Sequence, residues 1–411
     1  MPSRTPALGF IFVTLFLDVL GIGLIIPVLP KLIESFEGGD VSAASHTVGV
    51  LAALYSLMQF LFAPVLGNLS DRYGRRPVIL GSLLGSGLDY LLLAWAPSVG
   101  WFFLGRVISG ITGASFTAAS AYIADVSPPE KRAANFGLIG AAFGLGFIAG
   151  PAIGGLLGNA GLRLPFLVAA GVTLLNWLYG LFILPESLKP ENRRRFDWAR
   201  ANPLGSLMAL KRYALVLGLS TTFFLIHTAQ NMLHATWVLY TGYRYGWTPG
   251  QVGVSLAIVG VMAALVQGLL ARRLIPALGE PRSLVAGLAI SATAMVGYGW
   301  APHGWLIYVI LVFGSLGGIA GPAAQGLISR TVAANEQGAV QGALSSLGSV
   351  AGILGPPLGA GVFGWFIGAR APWHLPGAAF FLASGMMLVA LALARRTLRR
   401  HRPTAPVTTD A

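Results

Sequence analysis

The chain has 411 residues, a formal charge of +13, 55% hydrophobic residues, only 10% charged residues and no cysteine. A soluble chain of this length carries about 25% charged residues, so a soluble multidomain protein is excluded. Disulfides, Cys-ligated zinc and thiol chemistry are excluded with the cysteines. The basic residues sit in short segments between apolar stretches, which argues against a nucleic-acid partner.

A membrane-spanning helix needs about 20 mostly apolar residues. Twelve stretches qualify: 8–30, 48–68, 78–96, 100–124, 135–158, 164–185, 213–239, 250–271, 283–300, 304–329, 338–362 and 374–394. The first is read as a spanning helix rather than a signal peptide, because Asp18 and Pro27 interrupt it and no small-residue cleavage pattern follows. Between the second and third lies Gly67 to Pro77, G-N-L-S-D-R-Y-G-R-R-P, which crowds Asp71, Arg72, Arg75 and Arg76 into one short hairpin. The fifth span carries Gly146, Gly150, Gly154 and Gly158 at four-residue spacing, a smooth ridge for close helix contact, with Pro151 inside it. The longest polar segment, 186–212, is basic and contains Phe196 and Trp198, which predicts a cytoplasmic linker, either with a helix lying on the membrane surface or solvated with incidental aromatics.

These elements predict an all-α membrane protein of twelve transmembrane helices in two six-helix halves. The predicted organisation is an N-terminal bundle over 1–185, a linker over 186–212, a C-terminal bundle over 213–394 and a basic tail over 395–411. Arg and Lys cluster in the loops on the side of both termini, whereas Lys31, Arg163, Arg244 and Arg370 alone occupy the other side. The positive-inside rule therefore places both termini in the cytoplasm. A shift of 205 residues aligns Gly74 with Gly279, Gly113 with Gly318, Gly137 with Gly342, and Gly150-Pro151 with Gly355-Pro356. Repeated halves with a binding site between them are a common plan of secondary transporters.

Charges at membrane depth are costly and mark function. Asp18, Asp89 and Arg106 lie well inside predicted spans, all in the first half. Two carboxylates beside a guanidinium suit proton coupling; the structural alternative is a fixed ion pair that locks three helices. In the second half, His227, Gln230, Asn231 and His234 fall at i, i+3, i+4 and i+7, one face of a helix. Such a stripe is expected to face a cavity rather than lipid. Gln59, Asn176, Gln267, Gln325 and Gln341 are further cavity candidates, with Phe223, Trp237 and Tyr240 as aromatic lining.

The loop G-N-L-S-D-R-Y-G-R-R-P resembles the signature between helices 2 and 3 of the major facilitator superfamily. G-L-G-F-I-A-G-P-A-I-G-G (144–155) resembles the helix 5 signature of its drug–proton antiporter branch. L-D-V-L-G-I-G-L-I-I-P-V-L-P (17–30), L-D-Y-L-L-L-A (88–94) and L-G-R-V-I-S-G-I-T-G-A (104–114) are similar to the bacterial tetracycline efflux pumps. The resemblance implies an exporter that exchanges a drug for protons by alternating access. It implies coupling roles for Asp18, Asp89 and Arg106, and a conformational latch of Gly67, Asp71, Arg72, Gly74, Arg75 and Arg76. Asn231 falls near a family glutamine. The chain departs from the pattern at Ile290, where those pumps carry an aspartate, and at Ala263, where they carry a histidine.

The expected function is proton-coupled efflux of an amphipathic small molecule across a bacterial-type cytoplasmic membrane, by a chain that works as a monomer without cofactor or metal. The alternative is an uncoupled facilitator or metabolite exporter of the same fold. An enzyme is disfavoured because neither a His-Glu-x-x-His site nor a Gly-x-Ser-x-Gly elbow occurs, and an ATP-driven pump because no phosphate-binding loop does.

Overall fold

The computed structural model describes residues 8–113, 116–196, 214–331 and 337–400. Trp198, the remainder of the predicted linker and the end of the tail lie outside them. The described residues are almost entirely helical. The first crossing is α1 (Leu8–Ile25) and α2 (Leu29–Phe36), broken around Pro27. It is followed by α3 (Val41–Tyr73) and α4 (Arg75–Ala94). Next come α5 (Val99–Gly113) with α6 (Phe116–Val126), then α7 (Arg132–Ala160) and α8 (Leu164–Ile183). The second set opens with α9 (Ala214–Tyr245) and continues through α10 (Pro249–Leu265), a π-helical turn and α11 (Ala271–Leu278). Then follow α12 (Glu280–Trp300), α13 (Gly304–Gly314) with α14 (Ala320–Thr331), α15 (Gln337–Ile367) and α16 (Ala378–Arg400).

Eleven crossings are long and apolar enough to span a bilayer among the described residues, and α9 is the twelfth. At 32 residues α9 exceeds the required length, but His227, Gln230, Asn231 and His234 dilute its apolar character. The polar stripe that makes α9 interesting also makes it the least membrane-like by composition. At the other end of the chain, α16 runs six residues past the predicted span, through Arg400. Basic residues in a last helical turn complement the carbonyl end of the helix dipole, which favours this extension.

Local chemistry sets several helix ends. Asp40 caps α3 by accepting from Ser42 N at 2.8 Å and Ala43 N at 3.1 Å. Thr248 and Gln251 form a reciprocal capping box at α10. The Arg163 guanidinium donates to the Ala94 and Ala96 carbonyls, each at 3.0 Å, closing the end of α4. Gly74 and Gly279 take φ of +106° and +81°, conformations that favour glycine, and each is followed at once by a new helix. The 205-residue repeat is therefore present in backbone geometry: α4 and α12 begin 205 residues apart, as do α5 and α13.

The two sets of six crossings meet along two seams, α3 on α15 and α7 on α10. Three hydrogen bonds across them lie towards the end where α3 begins. Ser42 Oγ donates to the Gly364 carbonyl at 2.8 Å and Ser45 Oγ to the Ala360 carbonyl at 2.6 Å. Gly250 N donates to Asn159 Oδ1 at 3.0 Å. This seal lies opposite the charged 67–77 loop.

Candidate translocation site

The ionisable groups of the first half come from three helices. Asp18 on α1 is 9% exposed, Asp89 on α4 is 1% exposed and Arg106 on α5 is 8% exposed. No aspartate oxygen lies within 4.0 Å of an Arg106 nitrogen among the described residues, so the fixed ion pair is not formed. Both Asp89 carboxylate oxygens, and Nε and Nη2 of Arg106, lack a hydrogen-bond partner. Arg106 instead sits 5.9 Å from the centre of the Tyr55 ring. Asp89 rests against the backbone of Gly105, where a side chain would press on its Oδ1. An uncompensated charge at such depth costs several kcal/mol. A bound proton on the carboxylate, or a rearranged Arg106, removes that cost.

Gln59 on α3 reaches Tyr55 Oη and the Gly113 carbonyl, each at a long 3.4 Å, and so sits next to Arg106's aromatic partner. Asn176 departs from expectation. It is fully buried and donates to the Thr14 carbonyl at 2.9 Å, tying α8 to α1 rather than lining a cavity.

On α9, Gln230 and His234 are exposed and His227 and Asn231 half-buried, while Thr222, Ile226, Ala229, Met232 and Thr236 on the opposite face are buried. The stripe thus turns away from the helix's packed face. Asn231 folds back onto its own helix, donating to the His227 carbonyl at 2.8 Å, and its Cβ packs close to Gly355 of α15. Phe223 packs at a tilt against His227, ring centres 4.1 Å apart. Gln325 on α14 donates to Gln341 Oε1 on α15 at 3.0 Å, bringing two candidates together. Gln267 lies exposed in the π-helical turn. Trp237 and Tyr240 are core residues instead. Trp237 donates to Ser255 Oγ at 3.0 Å, Tyr240 donates to the Tyr298 carbonyl at 2.6 Å, and both pack edge-on against Phe380.

At the charged hairpin, Arg75 is the hub. Its Nη1 bonds Asp71 and Ser70 Oγ, and its Nε reaches Asp125 Oδ2 of α6 at 3.1 Å. Two partners were not singled out from sequence, Asp125 and Glu186. The Glu186 carboxylate accepts from Arg75 N at 2.9 Å and Arg76 N at 3.2 Å, acting as a cap on α4 from 111 residues away. It fills the space a Gly74 side chain would need, so Gly74 answers both to its φ and to Glu186. Arg76 donates to the Leu181 carbonyl, and the Gly67 carbonyl accepts from Ser70 Oγ at 2.8 Å. Arg72 stays out of this network and leans over the Tyr73 ring. The signal that could have found Asp125 was its place 205 residues before Arg330. Arg330 Nε pairs with Glu280 Oε1 at 3.1 Å, the same two positions with the charges exchanged.

The glycine ridge of α7 packs against α1. A Cβ on Gly146 would meet Val19, one on Gly150 would meet Gly23 and one on Gly154 would fall onto the Leu24 carbonyl. Pro151 Cδ and Gly150 lie against Gly23 of α1. The seam between halves uses the next register, Gly155 and Gly158 against Pro249 and Gly253 of α10.

Halves that seal against each other at one end, with ionisable groups buried in one and a polar stripe on the other, define a multi-pass membrane transporter. Comparison with known proteins gives its family. The model of the Major Facilitator Superfamily matches residues 11–356, and the chain belongs to that superfamily. It is 42% identical over 390 residues to the class C tetracycline resistance protein of Escherichia coli, covering 95% of this chain and 96% of that one. The human organic anion transporter MFSD10 (TETRAN) superposes with a TM-score of 0.68 at 26% identity, covering 94% of this chain and 98% of that one. A bacterial homologue of the human lysosomal transporter Spinster, inward-facing and unoccupied, superposes with a TM-score of 0.76 at 17% identity over 97% and 98% of the two chains.

Proposed function

We propose that the protein is a proton-coupled exporter of an amphipathic small molecule, tetracycline-like compounds among them. It works as a monomer in a bacterial cytoplasmic membrane with both termini inside. The bundles over 1–185 and 213–394 rock against each other to expose the site alternately. With the 67–77 loop on the cytoplasmic side, the seal at the opposite end corresponds to a state closed to the outside.

The observation that carries this reading is Asp89, buried with both oxygens unpartnered on a helix beside Arg106, whose Nε and Nη2 also lack a hydrogen-bond partner. A carboxylate without a fixed cation is free to exchange a proton as its surroundings rearrange. Asp18 is the second proton group. His227, Gln230, Asn231, His234, Gln59 and Gln325 offer the cargo neutral hydrogen-bonding groups, which orient an amphipathic molecule without demanding one charge. The similarity to a tetracycline resistance protein supports the direction of transport and the cargo class.

One observation favours the uncoupled alternative. The second half holds no acid well inside its predicted spans, and Ile290 occupies the position at which the resembled pumps carry an aspartate. Proteoliposomes separate the two readings, using a tetracycline, a panel of lipophilic drugs and a pH-sensitive dye. Coupled export predicts drug-dependent proton flux that is lost in Asp18→Asn or Asp89→Asn. Drug movement that persists without a proton gradient, and in both variants, overturns coupling and leaves a facilitator.

A further inference from the structure

Beside the charged hairpin lies a basic pocket of about 420 Å³. It is lined by Arg72 at the end of α3 and by Arg193, Arg194, Arg195 and Phe196 of the strap that follows α8. The strap is held in place: the Arg194 N–H donates to the Asp71 carbonyl at 3.0 Å, joining it to the hairpin backbone. Among the described residues, no carboxylate lies within 4.0 Å of any of the four guanidinium groups, although Asp71 close by is bonded to Arg75 and Glu186 to the start of α4.

We propose that this pocket binds a phosphate group. Four arginines lining one pocket offer more hydrogen-bond donors than one carboxylate satisfies. Planar forks that donate two parallel hydrogen bonds match the several oxygens of a phosphate. The membrane phospholipid headgroup is the source that the position favours. At 33 residues, α3 is about 50 Å long, against a hydrocarbon slab of about 30 Å, so its Arg72 end reaches the headgroup layer. Phe196, half-buried on the pocket wall, supplies an apolar surface beside the charges. Basic pockets next to spanning helices on the cytoplasmic side are suited to anionic headgroups. The ligand bridges the hairpin and the strap, and so ties the latch between the third and fourth helices to the lipid around it.

The test uses the full-length protein purified in a non-ionic detergent. Native mass spectrometry compares retention of dioleoyl phosphatidylglycerol and dioleoyl phosphatidylcholine, and calorimetry measures binding of inorganic phosphate. The expected result is retention of phosphatidylglycerol over phosphatidylcholine by about tenfold. That preference falls to near unity in Arg193→Gln/Arg194→Gln/Arg195→Gln and is only partly kept when the same three become lysine. Phosphate binding that depends on the same arginines, without lipid preference, assigns the site to a soluble phosphate. No preference and no phosphate binding in the wild-type protein overturns the proposal, whether or not the variants fold. A triple glutamine variant that folds and binds like wild type also overturns it.

Discussion

Replacing Gly253 by alanine tests whether the seal between α7 and α10 is a moving contact. A Cβ on Gly253 would fall onto the Pro151 carbonyl and within 3.1 Å of the Gly155 Cα, and one on Gly155 would fall onto the Pro249 carbonyl. These are backbone atoms, so no side chain can swing aside, and the helices must separate by roughly 1 Å to restore van der Waals distance. Overpacking of this kind costs about 1–3 kcal/mol. The cost falls only on the state sealed at this end, so the equilibrium moves towards its opening by about 5- to 150-fold. The chain has no cysteine, which makes a single reporter clean. Ser45, fully buried in the seal and bonded to the Ala360 carbonyl, is replaced by cysteine. Its reaction with a membrane-impermeant maleimide is then timed on intact cells. Labelling is expected to accelerate by that factor in Gly253→Ala and to stay at the parent rate in Gly144→Ala, where a Cβ meets nothing within 4 Å. Equal rates in the Gly253→Ala and parent backgrounds, with both proteins folded, would refute the reasoning.

Glu186→Gln is expected to cost about 1–2 kcal/mol by removing the charge that caps α4, seen as a lower melting temperature in detergent. Asp125→Asn, which removes the negative charge facing the 9%-exposed Arg75 side chain, is expected to cost about 2–3 kcal/mol. Arg330→Gln, at an 80%-exposed side chain, should cost no more than about 1 kcal/mol by the same assay. Exchanging the second pair, Glu280→Arg with Arg330→Asp, should recover transport lost in Glu280→Arg alone. Failure of the double variant to improve on the single would show that the pairing is incidental. His234→Ala should change the KM for drug with little change in melting, whereas Trp237→Phe should lower stability by about 1 kcal/mol and leave KM unchanged.

The membrane class and helix order are legible in the sequence because bilayer thickness imposes a length that composition reveals. The hairpin signature is legible because glycine and arginine have few alternatives there. Partners distant in sequence were not. Glu186 reads as the first residue of a linker, and only the folded chain shows its carboxylate capping a helix 111 residues earlier. Trp237 and Tyr240 look like cavity aromatics in a stretch that also carries the polar stripe. Helical rotation places them at a level where α9 is buried on most sides, against Ser255, Tyr298 and Phe380. Asn176 and Gln59 have similar surroundings in sequence, yet the amide NH2 of the first is tied to the Thr14 carbonyl at 2.9 Å and the second has only long contacts. Hydrogen-bond supply from neighbouring helices decides between the two, and periodicity carries no information about it.

The repeat of 205 residues carries a physical asymmetry. Arg75 with Asp125 in the first half and Glu280 with Arg330 in the second occupy matching positions with opposite polarity. Each pair joins the start of one helix to the end of another at the hairpin end of the bundle. A carboxylate suits a helix N-terminus and an arginine does not. Glu280 therefore serves its own helix start directly, whereas Arg75 sits at a start that must borrow the carboxylate of Glu186. The first-half pair is consequently embedded in a network of Asp71, Ser70, Asp125 and Glu186, with its arginine nearly buried, while the second-half pair has no such network among the described residues and is exposed on its arginine side. Two halves of one architecture thus hold matching helix-to-helix contacts with unequal strength. An exchange between open and closed states that begins at this end should loosen first at Glu280 and Arg330, and last at Arg75.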